Sequence, residues 1–310
     1  MCFSGSFHHD SAKRRFIMPY FDPEGLARIG NLELIAKQVV EGFLTGKHRS
    51  PYHGFSVEYL DHRSYTPGDD LRGLDWKVLA RSDKHYIKLY EDETNLRAYI
   101  LLDCSNSMTF KSNGLSKLQW GSYLAAALSY LLLRQNDAVG LLLFDTEVRT
   151  YIPPKAHPTQ FRRILDTLDN VKPGGETDVG AVLHEAAERV KRRGLVIVIS
   201  DLIDDEAKIA SGLQHFRHNN HEVLVFHTMD DAELTFPFER ITRFQDMEGA
   251  GRVVVNPNSL RKRYLSRIQS FTERLEHDCH ERKISYNLAN TKEPYGPYLA
   301  AYLDKRHRIG

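Results

Sequence analysis

The stretch AYILLDCSNS, Ala98 to Ser107, is the one on which the fold turns. An unbroken apolar run meets an aspartate and then a series of small polar residues. Apolar runs of this length without alternation read as strands covered on both faces, the habit of parallel sheets. Two further runs repeat the pattern, Val139 to Phe144 (VGLLLF) and Leu195 to Ser200 (LVIVIS). Between and around them lie segments of helical period at Ser116–Arg134, Thr159–Leu168, Val179–Arg192 and Asp205–His218, with another strand at Glu222–His227. Strands alternating with helices predict an α/β fold, a mostly parallel sheet flanked by helices.

Working outward, Arg240–Val255 reads as a hairpin turning at Glu248 and Gly249. A helix follows at Ser259–Glu281, with Leu260, Tyr264, Ile268, Phe271 and Leu275 on one stripe, then a strand at Ile284–Leu288 and a short tail helix. Upstream, Asp22 caps a helix opened by Pro23, in which Leu26, Ile29, Leu32, Ile35, Ala36 and Val39 recur at helical spacing. Beyond it come alternating strands at Phe55–Tyr59 and His85–Tyr90 around a turn at Pro67–Gly68, with no helix between them. The chain therefore divides into a disordered extension (residues 1–22), a helix plus a smaller β-rich module (23–96), and the α/β domain (97–310).

The 310 residues carry 42 Lys and Arg against 41 Asp and Glu, and 41% are hydrophobic. A net charge of +1 lacks the basic excess of a dedicated nucleic-acid binder. Cys2, Cys104 and Cys279 are odd in number and far apart, which supplies neither a disulfide framework nor a CxxC metal site. No apolar run is long enough to cross a bilayer; Tyr123–Leu133 reads as a buried core helix. MCFSGSFHHDSAKRRFIM has no apolar core of a secretory signal, and Met18 is a second candidate start, so a cytoplasmic location is expected.

In open α/β sheets ligands gather at the carboxyl ends of the strands. There this chain places Asp103, Ser105 and Ser107 in a D-x-S-x-S pattern, Thr177 in the loop GGETD, and Asp201 after LVIVIS. If the strand continues, alternation turns Asp103, Ser105 and Ser107 to one side. Five hard oxygen donors from three strand-end loops, without His or Cys, suit Mg²⁺ or another divalent ion such as Mn²⁺ or Ca²⁺. Asp and Ser after a strand also serve as ordinary helix caps and turn formers; capping alone does not predict that three such loops share this chemistry.

These five residues match, in order and spacing, the metal-ion-dependent adhesion site of von Willebrand factor type A domains. The segments GKHRSPYHGFSVEYLDHRSYTPGDDLRGLDWKVLARSD and KLYEDETNLRAYILLDCSNSM resemble the bacterial family called domain of unknown function 58, and the likeness runs from Pro23 onward. The resemblance implies a von Willebrand A-like α/β fold and a non-enzymatic partner or adaptor of a MoxR-type AAA+ ATPase or its client. It also implies a bound Mg²⁺ that accepts an acidic residue of that partner. The block from Arg63 to Arg81, with Trp76 inside it, reads as a turn and ion-pair network fastening the β-rich module, or else as a docking face.

The alternative is a metal-dependent hydrolase of phosphoesters, for which Glu176 and Asp178 are the nearby candidate bases. No phosphate-binding glycine loop and no nucleophile elbow occurs. His215, His218 and His221 read as exposed helix-surface histidines rather than a zinc set, and Cys104 as a buried thiol.

Overall fold

The computed structural model describes residue 23 and residues 30–47, 62–64, 86–88, 96–175, 178–240, 242–245 and 252–309. Its centre is a six-stranded sheet of β3 (Arg97–Asp103), β4 (Ala138–Phe144), β5 (Val148–Lys155), β6 (Leu195–Ser200), β7 (Glu222–Met229) and β10 (Ser285–Asn290). The spatial order is β10-β7-β6-β3-β4-β5. All neighbours are parallel except β5, which returns antiparallel along the edge of β4. The AYILLD run thus lies inside the sheet, with Leu101 level with Leu142 on one side and Val198 on the other.

Alternation divides β3 between two cores. Ala98, Ile100 and Leu102 face α1 (Leu32–Lys47), α2 (Lys117–Arg134), α3 (Pro158–Asp169) and α8 (Gly296–His307). Tyr99 and Leu101 face α4 (Val179–Arg189), α5 (Glu206–His218) and α7 (Pro257–Glu281). Both faces are covered, so the strands need no polar side, which is why they read as continuous apolar runs. The expected mostly parallel α/β sheet flanked by helices is present.

α2 packs directly on the sheet through Gly121. A Cβ on Gly121 would stand 2.9 Å from Leu102 Cδ1 and 3.1 Å from Ile199 Cγ2, so a larger residue there makes those side chains shift. Its start is fixed by a capping box: the Ser116 hydroxyl accepts the Gln119 amide, and the Gln119 side chain accepts the Ser116 amide. α1 lies upstream of the 97–310 segment yet buries Leu32, Ile35, Ala36, Val39 and Val40 in the same core. An amphipathic helix with nothing else to cover its stripe takes the nearest apolar surface.

Several boundaries differ by a few residues from the sequence expectation. β5 runs through Pro153 and Pro154, tolerated because an edge strand has one side without ladder bonds. α4 stops at Arg189 rather than Arg192, since Val190 leaves the helical region at φ −84°, ψ 82°. β8 (Thr242–Gln245) and β9 (Arg252–Val255) pair antiparallel as the expected hairpin; the turn at Glu248–Gly249 lies outside the described residues. β1 (His62–Ser64) pairs antiparallel with β2 (Tyr86–Lys88), the latter inside the expected strand at His85–Tyr90. The extension, the Phe55–Tyr59 strand and most of the Arg63–Arg81 block, Trp76 included, lie outside the described residues. α6 (Asp231–Thr235) follows β7 directly. Among the described residues, no helix is long and apolar enough to cross a membrane.

Candidate functional site

β3 and β6 lie side by side, so their carboxyl ends bring Asp103 and Ser200–Asp201 together at one rim of the sheet. The Asp103 carboxylate is fully buried. One oxygen accepts the Ser105 amide at 2.9 Å and the other accepts the Ser200 hydroxyl at 2.6 Å. That hydroxyl in turn accepts the Leu202 amide at 3.0 Å. Leu202 takes a left-handed φ of 50°, uncommon for a non-glycine residue, and reverses the chain just after Asp201. Its neighbour Ile203 is left 51% exposed.

The Asp103, Ser105 and Ser107 set forms by a different route from strand alternation. The strand ends at Asp103; the Asp103 side chain closes a turn on the Ser105 amide, and Asn106 enters the helical region before a 3₁₀ turn at Ser107–Thr109. A turn compacts what an extended chain would spread, and the Ser105 and Ser107 hydroxyls end 3.0 Å apart. Cys104 points elsewhere as expected: its buried thiol donates to the Phe144 carbonyl, and burial pushes it up to about 12, where it is no nucleophile. Gly174 and Gly175 are tied to this loop, the Gly174 amide to the Cys104 carbonyl and the Asn106 amide to the Gly175 carbonyl. Thr177 and Glu176 lie outside the described residues. Asp178 caps α4 by accepting the Ala181 amide at 3.2 Å.

The electrostatics centre on a residue that the D-x-S-x-S pattern does not announce. Lys117, the first residue of α2 and 1% exposed, places its ammonium 2.7 Å from Asp201 Oδ2 and 2.9 Å from Glu233 Oε1. Glu233 is held by its other oxygen, which accepts the Asp230 amide in a second capping box at α6. Asp230 also accepts the Ser112 amide, joining α6 to the loop after Ser107. Burial works against the charge on Lys117, but the Asp201 and Glu233 carboxylates outweigh it and hold the ammonium above the ordinary lysine range. Burial, reinforced by the Asp201 carboxylate, pushes Asp103 up to about 7. Close by, His227 donates to or accepts from the Tyr286 hydroxyl at 2.6 Å, and burial pulls it down to about 4.

Asp103 is therefore a buried carboxylate whose described partners are neutral donors, with two hydroxyls beside it and a second carboxylate in electrostatic reach. Hard oxygens of this kind would suit Mg²⁺, which Asp103, Ser105 and Ser107 could hold; Asp201 would be less free, because one of its oxygens is engaged by Lys117. Among the described residues, no group of three or more His, Cys, Asp or Glu side chains is placed to hold a metal. The histidine reading needs one correction. His221 is buried against the Val190 carbonyl at 3.0 Å, while His215 meets His184 at 3.0 Å, so no zinc set forms.

The fold and site thus define an α/β protein with a mostly parallel sheet and an aspartate and serine oxygen cluster at the end of an inner strand. The chain belongs to the family described as protein of unknown function DUF58, whose model matches residues 61–274. It is 26% identical over 232 residues to uncharacterized protein Rv1480 of Mycobacterium tuberculosis, covering 73% of this chain and 72% of that one. Among solved structures it is similar to the conserved hypothetical protein BatB from Bacteroides thetaiotaomicron, at 18% identity and a TM-score of 0.47, over 68% of this chain and 96% of that one. It is also similar to the SpRpn10 VWA domain, at 14% identity and a TM-score of 0.31, over 44% and 76% of the two chains.

Proposed function

We propose that the chain is a non-enzymatic, metal-dependent protein-interaction module that binds an acidic residue of its partner through a divalent ion, Mg²⁺ first among candidates. The observation that carries this reading is the buried Asp103 carboxylate with the Ser105 and Ser107 hydroxyls 3.0 Å apart beside it. Such a set supplies little negative charge, so a bound ion keeps an appetite for an outside carboxylate. Thr177 and Asp201 complete the donor set of the family resemblance. Ile203, exposed at the rim, offers an apolar contact beside the charged one.

The partner fitting the family resemblance is a MoxR-type AAA+ ATPase or its client, met in the cytoplasm. The hydrolase alternative needs a placed base, and Asp178 is engaged in capping α4. The test measures binding of the immobilised chain to the purified ATPase with Mg²⁺ and with chelator, for wild type and Asp103→Ala. Saturable binding lost in both the chelated and the substituted samples, with circular dichroism unchanged, is the expected result. Binding indifferent to both treatments sinks the reading, and phosphoester turnover lost in Asp103→Ala replaces it with the hydrolase.

A further inference from the structure

Lys117 stands where three separate effects oppose a cation. It is 1% exposed, so desolvation disfavours its charge. It is the first residue of an α-helix, where the backbone dipole repels positive charge. Its four-carbon stem must also be held in one geometry. What compensates is the pair of carboxylates, Asp201 at 2.7 Å and Glu233 at 2.9 Å. A cation retained against such costs marks a position where positive charge is needed.

We infer that Lys117 is a tethered competitor for the divalent ion, an internal cation that holds Asp201 until a metal takes its place. This rests on the divalent-ion reading proposed above and adds to it the residue that sets the affinity. The geometry supplies the route. Glu233 is fixed by its capping bond to the Asp230 amide at 2.7 Å, so it stays in position whichever way the ammonium leans. When an ion draws on Asp201, Lys117 keeps Glu233 as its partner and is not left unpaired.

The test is calorimetric titration of Mg²⁺ alone into the full chain, as wild type, Lys117→Met, Asp201→Asn and the double variant. Lys117→Met is expected to bind Mg²⁺ about tenfold tighter than wild type, since it removes the competitor. Asp201→Asn is expected to weaken binding by no more than about threefold in wild type, where Asp201 is engaged, but by about tenfold or more in Lys117→Met. Equal factors in the two backgrounds, or no tightening in Lys117→Met, overturn the inference while leaving the metal site intact. Should Lys117→Met lose its circular dichroism spectrum, Glu233→Gln decides. With no second carboxylate to receive it, the ammonium stays on Asp201, and Mg²⁺ affinity drops by about threefold; an unchanged or tighter value overturns the inference. Absence of Mg²⁺ binding in every chain, wild type included, removes the divalent-ion reading and this inference with it.

Discussion

Two groups of acids at opposite ends of the sheet are balanced in different ways. At the end where β3, β4 and β7 begin, Asp137 is clasped by the Arg306 guanidinium at 2.8 and 3.2 Å and also accepts the Leu96 amide. Glu222 there has two cations, Arg217 at 2.8 Å and Lys305 at 2.7 Å. Base equals or exceeds acid, and the pairs tie α8 and the C-terminal turn of α5 to the sheet. At the opposite end, beside the paired Asp145 and Arg149, Asp201 and Glu233 share one ammonium, that of Lys117, and Asp103 lies in electrostatic reach of Asp201. Charge balanced by fixed neighbours makes a fastening; a surplus of buried acid makes a place for something that arrives from outside.

The largest expected effect contrasts one cation from each end. Lys117→Met leaves Asp201 and Glu233 buried without their partner and is expected to cost about 3–5 kcal/mol in urea unfolding of the metal-free chain. Arg306→Met removes a clasp that is partly open to water, 30% exposed on the arginine side, and is expected to cost about 1–2 kcal/mol. Added Mg²⁺ is expected to restore part of the first loss and none of the second. Equal losses, or equal recovery, would erase the distinction between the two ends.

A smaller net effect, two opposing contributions each on the order of 3–4 kcal/mol that partly cancel, is expected in the pH dependence of the metal-free chain. Asp103 keeps its proton up to about 7 when folded against an ordinary 3.8, so between those values the unfolded chain binds fewer protons and stability falls as pH rises. His227 behaves in the contrary sense. Its folded value of about 4 lies below the ordinary 6.5, so the unfolded chain binds more protons across that window and stability rises with pH. The two slopes oppose each other in wild type. Relative to wild type, Asp103→Asn should gain stability from pH 4 to 7. His227→Gln should lose relative stability from pH 4 to 6.5. Denaturant midpoints across that range, in chelator, decide it; two variants that track wild type in parallel would show that neither group is held as the structure has it.

What the sequence discloses follows the same division. The runs AYILLD, VGLLLF and LVIVIS declare central strands because both faces of a parallel sheet are dry, and a strand end is where Asp103 and Asp201 must then lie. Ser105 and Ser107 follow from the same reasoning, though the turn that gathers them is not the alternation their spacing suggests. Lys117 is another matter. Its partners stand 84 and 116 residues away, and in GLSKLQW it resembles any surface lysine. The one local signal is Ser116 with Gln119 as a capping box, which sets Lys117 in the first turn of a helix beside Leu118 and Trp120. Local pattern specifies where an element starts; it does not specify what its first side chain will meet across the sheet.

The smallest expected effect bears on that capping box, because α2 runs from Lys117 at the acid-rich end to Arg134, close to Asp137 at the balanced end. Ser116→Ala removes the hydroxyl that accepts the Gln119 amide at 3.1 Å. The loss is expected to be about 1 kcal/mol, as for an ordinary N-cap. If the cap only stabilises the helix, Mg²⁺ affinity stays within about twofold of wild type, since Lys117 is held by Asp201 and Glu233 and not by the helix start. A shift of about tenfold or more in Mg²⁺ affinity for so small a loss of stability would place the control of the ammonium in the cap. The contrast between the two ends would then rest on where α2 begins rather than on the count of acids and bases around it.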